Sequence, residues 1–145
     1  MQWKNEAMDK LRRYGAMRCA MENIPAEIRR LRADATALRS SSADTVHVRG
    51  GGSRREEALI NNLVERQELT QSLRQVQRWI QTVDQGLEAL SDDDRLILQR
   101  LYLTPERGAV DRLCEELGLE QSSVYRKRDQ ALQRFTIAMY GFTET

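Results

Sequence analysis

Polar side chains at helical spacing late in the sequence are the residues of this chain best suited to recognising another molecule. Gln121, Ser122, Tyr125, Arg126 and Asp129 are related by steps of three and four, so one helix would present them on a single face. In the major groove of DNA, glutamine can pair with the edge of adenine and arginine with that of guanine. We therefore interpret Gln121 and Arg126 as base-reading residues.

Positive charge is concentrated on the same segment. Residues 121–135 carry four Lys and Arg against one Asp, a net charge of +3, although residues 91–145 as a whole are slightly acidic. Cations kept on one helix and off its neighbours are typical of a nucleic-acid-binding face, while a solvated helix face is the structural alternative. We predict phosphate contacts for three further side chains: Lys127, Arg128 and Arg134.

The apolar residues around this segment predict the elements that position it. Leu113 and Leu117 are spaced as the inner face of one helix, and Leu119 and Val124 would fold back onto them from a second helix. Gly118 lies between the two, where a helix ends in a left-handed conformation that glycine adopts most cheaply. This order of helix, tight turn and crossing helix is that of a helix-turn-helix, with a recognition helix over about residues 121–139.

A further helix is predicted just upstream. Ser91 is a good N-cap, Asp94 lies three residues on, and carboxylates occupy the positive first turn. Leu96, Ile97, Leu101 and Leu98 give this helix a buried face, and Thr104–Gly108 ends it. The inner face of the recognition helix continues beyond the motif through four residues: Ala131, Leu132, Phe135 and Met139.

Two heptad stripes predict long helices in the first 90 residues. Pro25 interrupts the first stripe, so we expect a kink or a restart there, with Asn23 as a cap. Residues 40–53, rich in Ser and Gly, predict a loop that holds His47, a surface residue by this interpretation. The first stripe runs through Trp3, Ala7, Lys10, Tyr14, Met17, Met21, Ile24, Ile28, Leu31, Ala35 and Leu38. The second, from about Arg54 to Ala89, runs through Leu59, Ile60, Leu63, Val64, Leu69, Leu73, Val76, Ile80, Val83, Leu87 and Leu90, with Asn62 and Arg66 as polar seam members.

Composition excludes several classes of protein. The 145 residues include few Gly and Pro, and aromatic residues make up 6%, which favours an all-α chain. Cys19 and Cys114 have no second Cys or His at ligand spacing, so no metal site is predicted, and no phosphate loop or nucleophile with its base points to an enzyme or a cofactor. No apolar run approaches the ~20 residues of a membrane span, so we expect a cytoplasmic protein.

The motifs in the second half resemble region four of bacterial sigma factors. They are closer still to phage and prophage proteins that carry this module behind helical segments, the RinA and ArpU type of late transcriptional regulators and their relatives. Glu120 departs from the Ser or Thr that commonly caps the recognition helix, and Lys127 replaces a usual apolar residue. The residues that carry the resemblance are Leu90–Arg95, Leu101–Tyr102, Leu113–Gly118, Ser123–Arg126 and Ala131–Leu132.

The resemblance implies an all-α protein that binds double-stranded DNA and regulates transcription, with bacterial RNA polymerase as a further partner. We expect a helical hairpin over residues 1–90 and a helix-turn-helix domain over residues 91–145. Pairing of the heptad helices within one chain or in a homo-oligomer stays open. Two other functions also stay open: a protein-interaction module that uses the heptad helices, and a DNA binder of the small-terminase type.

Overall fold

The computed structural model describes residues 2–43 and 51–142, and the described residues form helices and no β-strand. The predicted all-α class is therefore confirmed. None of the described helices combines the length and the apolar character needed to cross a membrane. The helices are α1 (Gln2–Ala43), α2 (Gly51–Glu88), α3 (Asp92–Leu98), a π-helical turn (Gln99–Leu103), α4 (Ala109–Leu117) and α5 (Gln121–Tyr140).

Contacts divide the chain into two compact units. Unit 1 contains Met1–Arg18 and Arg78–Thr145, and unit 2 contains Cys19–Gln77. Each long helix contributes to both units, since α1 and α2 run through the division. In unit 1, the first turns of α1 and the last turns of α2 pack with the shorter helices.

Helix α1 runs through Pro25 without interruption. The predicted restart with Asn23 as a cap is therefore wrong. Proline in a helix interior removes one backbone donor, and its ring crowds the preceding turn, at a cost of about 3 kcal/mol. Ile28 and Leu31, just beyond the proline, are buried in unit 2, and this packing favours continuation of the helix.

In unit 2 the seam of α2 is partly polar. The buried Asn62 donates its side-chain amide to the Leu31 carbonyl at 2.8 Å and accepts a 2.8 Å hydrogen bond from Arg66 Nε. The prediction that Asn62 and Arg66 occupy seam positions is confirmed. The prediction that neighbouring apolar residues thicken this seam is wrong for three of them, which are exposed: Ile60, Leu63 and Val64.

The loop predicted over residues 40–53 is wrong at both of its ends, which are helical. Helix α1 extends to Ala43, and α2 begins at Gly51, so serines and glycines at both edges are helical. A helix that has already formed adds terminal residues cheaply, because only its nucleation is costly. His47 lies outside the described residues.

The larger core of unit 1 surrounds Phe135 on α5. Ala7 and Leu11 of α1 and Val83 of α2 are buried in the same cluster. Leu11, and not the predicted Lys10, occupies the buried seam position. The Lys10 ammonium lies over the Tyr140 ring, 5.4 Å from its centroid. The predicted inner face of α5 is confirmed, with Ala131, Leu132 and Phe135 fully buried and Met139 partly buried.

A smaller core in unit 1 joins α3, α4 and α5. Ile97, Leu113 and Val124 are fully buried at its centre, with Leu117 and Leu119 partly buried beside them. The predicted buried face is correct for Ile97 and Leu98, which are fully buried, but Leu96 and Leu101 are only partly buried. Helix α3 lies between the two cores, with Ile97 in the smaller core and Leu98 in the larger one.

Gly86 marks the close approach of α2 to α5. A Cβ at this position would lie 2.7 Å from Phe135 Cδ2 and 2.8 Å from Met139 Cγ. We predict that Gly86→Ala destabilises the protein, because overpacking a core costs about 1–3 kcal/mol and exceeds the gain of about 1 kcal/mol in helix propensity. Thermal unfolding measures the change. Gly15→Ala is the matched control: nothing lies within 4 Å of its Cβ position, and we expect it to raise stability. Equal effects at the two glycines would contradict the close approach.

Candidate nucleic-acid interface

Helix α3 begins as the sequence predicts and anchors α5. The Ser91 hydroxyl accepts a hydrogen bond from the backbone N–H of Asp94 at 3.2 Å, which satisfies one of the free donors at the helix start. The carboxylate of Asp94 is buried and accepts a hydrogen bond from Arg134 Nη1 at 2.6 Å. Arg134 thus ties α5 to α3, and any phosphate contact by Arg134 would compete with this ion pair.

Helix α4 is held between two left-handed glycines and two ion pairs. Gly108 precedes it with φ 74°, and Gly118 ends it with φ 66°. Arg100 binds Glu116 through two hydrogen bonds of 3.1 and 3.2 Å, and Arg112 binds Glu106 at 2.6 Å. Glu106 and Glu116 each thereby have a guanidinium partner.

The turn between α4 and α5 fixes the direction of α5. The Gly118 and Leu119 backbone N–H groups both point to the Cys114 carbonyl, and this closes α4 as predicted for a left-handed glycine. Leu119 packs against the smaller core, and Val124, one turn into α5, is fully buried there. With Val124 turned inward, the residues on the opposite side of the first turns of α5 face outward.

The four predicted residues at the start of α5 are all exposed: Gln121, Ser122, Tyr125 and Arg126. They occupy one face of α5, as the spacing predicts. Lys127 is half-buried, which suits a lysine whose stem covers apolar surface. Within the described part of the chain, Arg126 and Lys127 form no ion pair, so their charges remain available to a ligand.

Helix α5 starts without a side-chain cap. Glu120 holds the extended cap conformation, φ −75° and ψ 159°, yet its side chain makes no capping hydrogen bond. We predict that Glu120→Ser raises the free energy of unfolding by about 0.5–1 kcal/mol, because a serine hydroxyl in this position accepts from the backbone two or three residues on. Thermal unfolding measures the gain. Glu120→Gln is the control that removes the charge alone, and a gain of equal size there would assign the effect to charge.

Arg128 and Asp129 form an ion-pair cluster with the first turn of α1. Asp129 Oδ1 accepts from Arg128 Nη2 at 2.9 Å and Nε at 3.0 Å, and Lys4 Nζ lies 2.7 Å from the same oxygen. The Arg128 guanidinium also lies over the Tyr125 ring, 5.0 Å from its centroid. Arg128, a predicted phosphate contact, is therefore held in place by neighbours on both sides.

Tyr102 extends this cluster to a second α1 residue. Its ring is buried, and the Arg12 guanidinium lies 5.4 Å from the ring centroid. Burial raises the pKa of Tyr102, although the charges of Arg128 and Arg12 oppose the rise. Partial burial also acts to raise the pKa of Asp129, but hydrogen bonds from Lys4 and Arg128 outweigh it and the pKa is lowered. The ionised Asp129 carboxylate, bound by Lys4 and Arg128, therefore stabilises the fold above the usual carboxyl pKa. This stabilisation is lost as pH falls through the lowered pKa of Asp129.

The sequence prediction names residues of α5 and none of the α1 cations that pack beside them in this cluster. Lys4 lies 125 positions from Asp129, and Arg12 lies 90 positions from Tyr102, so no local pattern joins them. The one sequence signal was weak: residues 1–53 carry ten Lys and Arg against six Asp and Glu, a net charge of +4.

Among the residues that the structure describes, no group of three or more His, Cys, Asp and Glu is placed to hold a metal ion.

Comparisons with known proteins identify a family for this chain. Neither the comparison with curated proteins nor that with solved structures gives a match. The family model DUF1492, described as a protein of unknown function, matches residues 37–136, which is more than half of the chain and includes α3, α4 and most of α5. The chain therefore belongs to the DUF1492 family.

Proposed function

We propose that the protein is a sequence-specific DNA-binding regulator of transcription, of phage or prophage origin, that reads the major groove with the start of α5. The observation that carries the proposal is the outward face of α5, where Gln121, Ser122, Tyr125 and Arg126 are exposed together beside a buried Val124. Gln121 and Arg126 read bases, Ser122 and Tyr125 flank them, and Lys127 and Arg128 bind phosphate.

The proposed fold is a helical hairpin followed by a helix-turn-helix of the sigma region-four type. Its support is the left-handed Gly118 between α4 and α5, and the shared core of Ile97, Leu113 and Val124. In such a motif, the first residues of the second helix enter the groove while the first helix crosses the backbone. DUF1492 is a phage-associated family, which favours a phage regulator. RNA polymerase is the protein partner that this function implies, within the host cytoplasm.

A protein-interaction module is the second candidate. Ile60, Leu63 and Val64 are exposed on α2 at steps of three and one, a spacing that places them on one side of the helix. Contiguous apolar surface of this kind is characteristic of contacts between proteins, including contacts between copies of one chain. In this function, binding would depend on α2 and not on α5.

Salt dependence separates the two candidates. We expect the affinity for a 30-base-pair duplex to fall steeply as salt rises, because each phosphate contact releases bound counterions. Binding through the apolar surface of α2 releases no such counterions, so we expect its affinity to change little with salt. Fluorescence anisotropy over a salt series measures the slope, with Leu63→Ser as the variant that alters the α2 surface. Undetectable binding at low salt would contradict the DNA-binding proposal.

A further inference from the structure

The cluster around Asp129 holds more positive charge than its one carboxylate neutralises. Lys4 and Arg128 both bind Asp129 Oδ1, and Arg12 lies on the neighbouring Tyr102 ring. The ammonium and the two guanidinium groups carry more N–H donors than one carboxylate oxygen can accept. The side chains of Lys4 and Arg128 retain 25% and 24% exposure, and Arg12 is exposed, so the spare donors are open to a second anion.

The cluster lies on the continuation of the proposed base-reading face. Arg128 follows Gln121 by seven residues, and Asp129 follows Ser122 by seven, which is close to two full turns of an α-helix. Residues seven apart lie almost in line, separated by about 10 Å along the axis. When the start of a recognition helix lies in the groove, positions two turns further along approach the sugar–phosphate backbone.

We propose that Lys4 and Arg12 of α1, together with Arg128 of α5, bind a phosphate of the DNA backbone, so that the DNA interface extends from α5 onto the first turns of α1. This inference rests on the proposed function. Both Lys4 and Arg12 lie outside the part of the chain that the family model matches. Asp129 is then the carboxylate with which a phosphate competes for Lys4 and Arg128.

Aromatic stacking gives two of these cations a defined position. The Arg128 and Arg12 guanidinium groups lie over the Tyr125 and Tyr102 rings, at 5.0 and 5.4 Å from the centroids. A guanidinium that stacks on a ring keeps the N–H groups on its edge free for an anion. Less side-chain entropy is then lost when a phosphate binds, because the cation is already ordered.

The test measures DNA affinity over a salt series for Lys4→Gln and Arg12→Gln, with Arg13→Gln as the matched control. Arg13 is a neighbouring α1 cation of 59% side-chain exposure that pairs with Asp9 at 3.6 Å. Glutamine retains part of each aliphatic stem and removes the charge. We expect each cluster variant to lose affinity about 3- to 10-fold on cognate and scrambled duplexes alike, and its salt slope to fall by about 0.9. Arg13→Gln keeps the wild-type slope.

Asp129→Asn separates a phosphate site from a merely structural network. Removal of the carboxylate releases Lys4 and Arg128 and removes a charge that repels phosphate, so we expect DNA affinity to rise while thermal stability falls. A structural network predicts a loss of both. Arg12→Gln remains informative if Lys4→Gln unfolds, because Arg12 contacts Tyr102 and does not bind Asp129. Wild-type slopes for both cluster variants would overturn this inference alone, whereas absence of wild-type binding would overturn the proposed function with it.

Discussion

Phe135→Ala is expected to lower the free energy of unfolding by about 3–5 kcal/mol, the largest effect of any single truncation in unit 1. Phe135 is fully buried, and its ring lies against the site of Gly86 on α2 and in one cluster with Leu11 of α1. Loss of the ring removes its apolar transfer energy and leaves a cavity between helices that cannot close up fully. Chemical denaturation followed by circular dichroism measures the change.

Phe142→Ala is the matched control for this prediction. The chain contains two phenylalanines, and Phe142 is 65% exposed. Truncation of Phe142 removes the same ring from a position where the ring is already in contact with water. We therefore expect the free energy of unfolding to change by no more than about 0.5 kcal/mol. Similar losses for the two variants would show that α5 does not pack through Phe135 as described.

Arg126→Ala is expected to cost about 1–3 kcal/mol of binding to the cognate DNA, or roughly 5- to 150-fold in affinity, with little change on a scrambled duplex. Arg126 is exposed on the outward face of α5 and forms no ion pair among the described residues. Its guanidinium can therefore pair with a guanine edge without first giving up a partner. Titration of both duplexes at one salt concentration gives the ratio of affinities.

Arg128→Ala provides the contrast on the same helix. Arg128 binds Asp129 and lies over the Tyr125 ring, and in the proposed function it contacts the DNA backbone, which carries no sequence information. We expect its truncation to weaken cognate and scrambled DNA to the same degree. Equal losses on the two duplexes for Arg126→Ala would rule out its role in reading bases.

The features predictable from the sequence are those that depend on a few adjacent residues. Ser91 caps α3 because a hydroxyl and a backbone N–H three residues on are neighbours in any helix start. Gly118 ends α4 in the left-handed region for a similarly local reason. The outward face of α5 follows once Val124 is known to point inward, because helical spacing then places Gln121 and Arg126 in solvent.

The features that the sequence does not predict depend on residues far apart or on a choice between two faces. Around residue 62, the pattern predicts Asn62 and Arg66 in the seam together with the apolar residues beside them, and it does not reveal that Ile60, Leu63 and Val64 lie outside the seam. The contact of Lys4 with Asp129 joins the two ends of the chain. Gly86 needs the position of Phe135 before its role is visible.

Retention of genomic DNA tests the central claim most directly. The purified protein is incubated with fragmented genomic DNA from its source at low and at near-physiological salt, and the retained fragments are sequenced. We expect enrichment of one or a few sites that survives the higher salt, and loss of that enrichment in Arg126→Ala. Uniform retention that disappears as salt rises, or no retention at all, would contradict a sequence-specific regulator and favour a protein-interaction module that acts through α2.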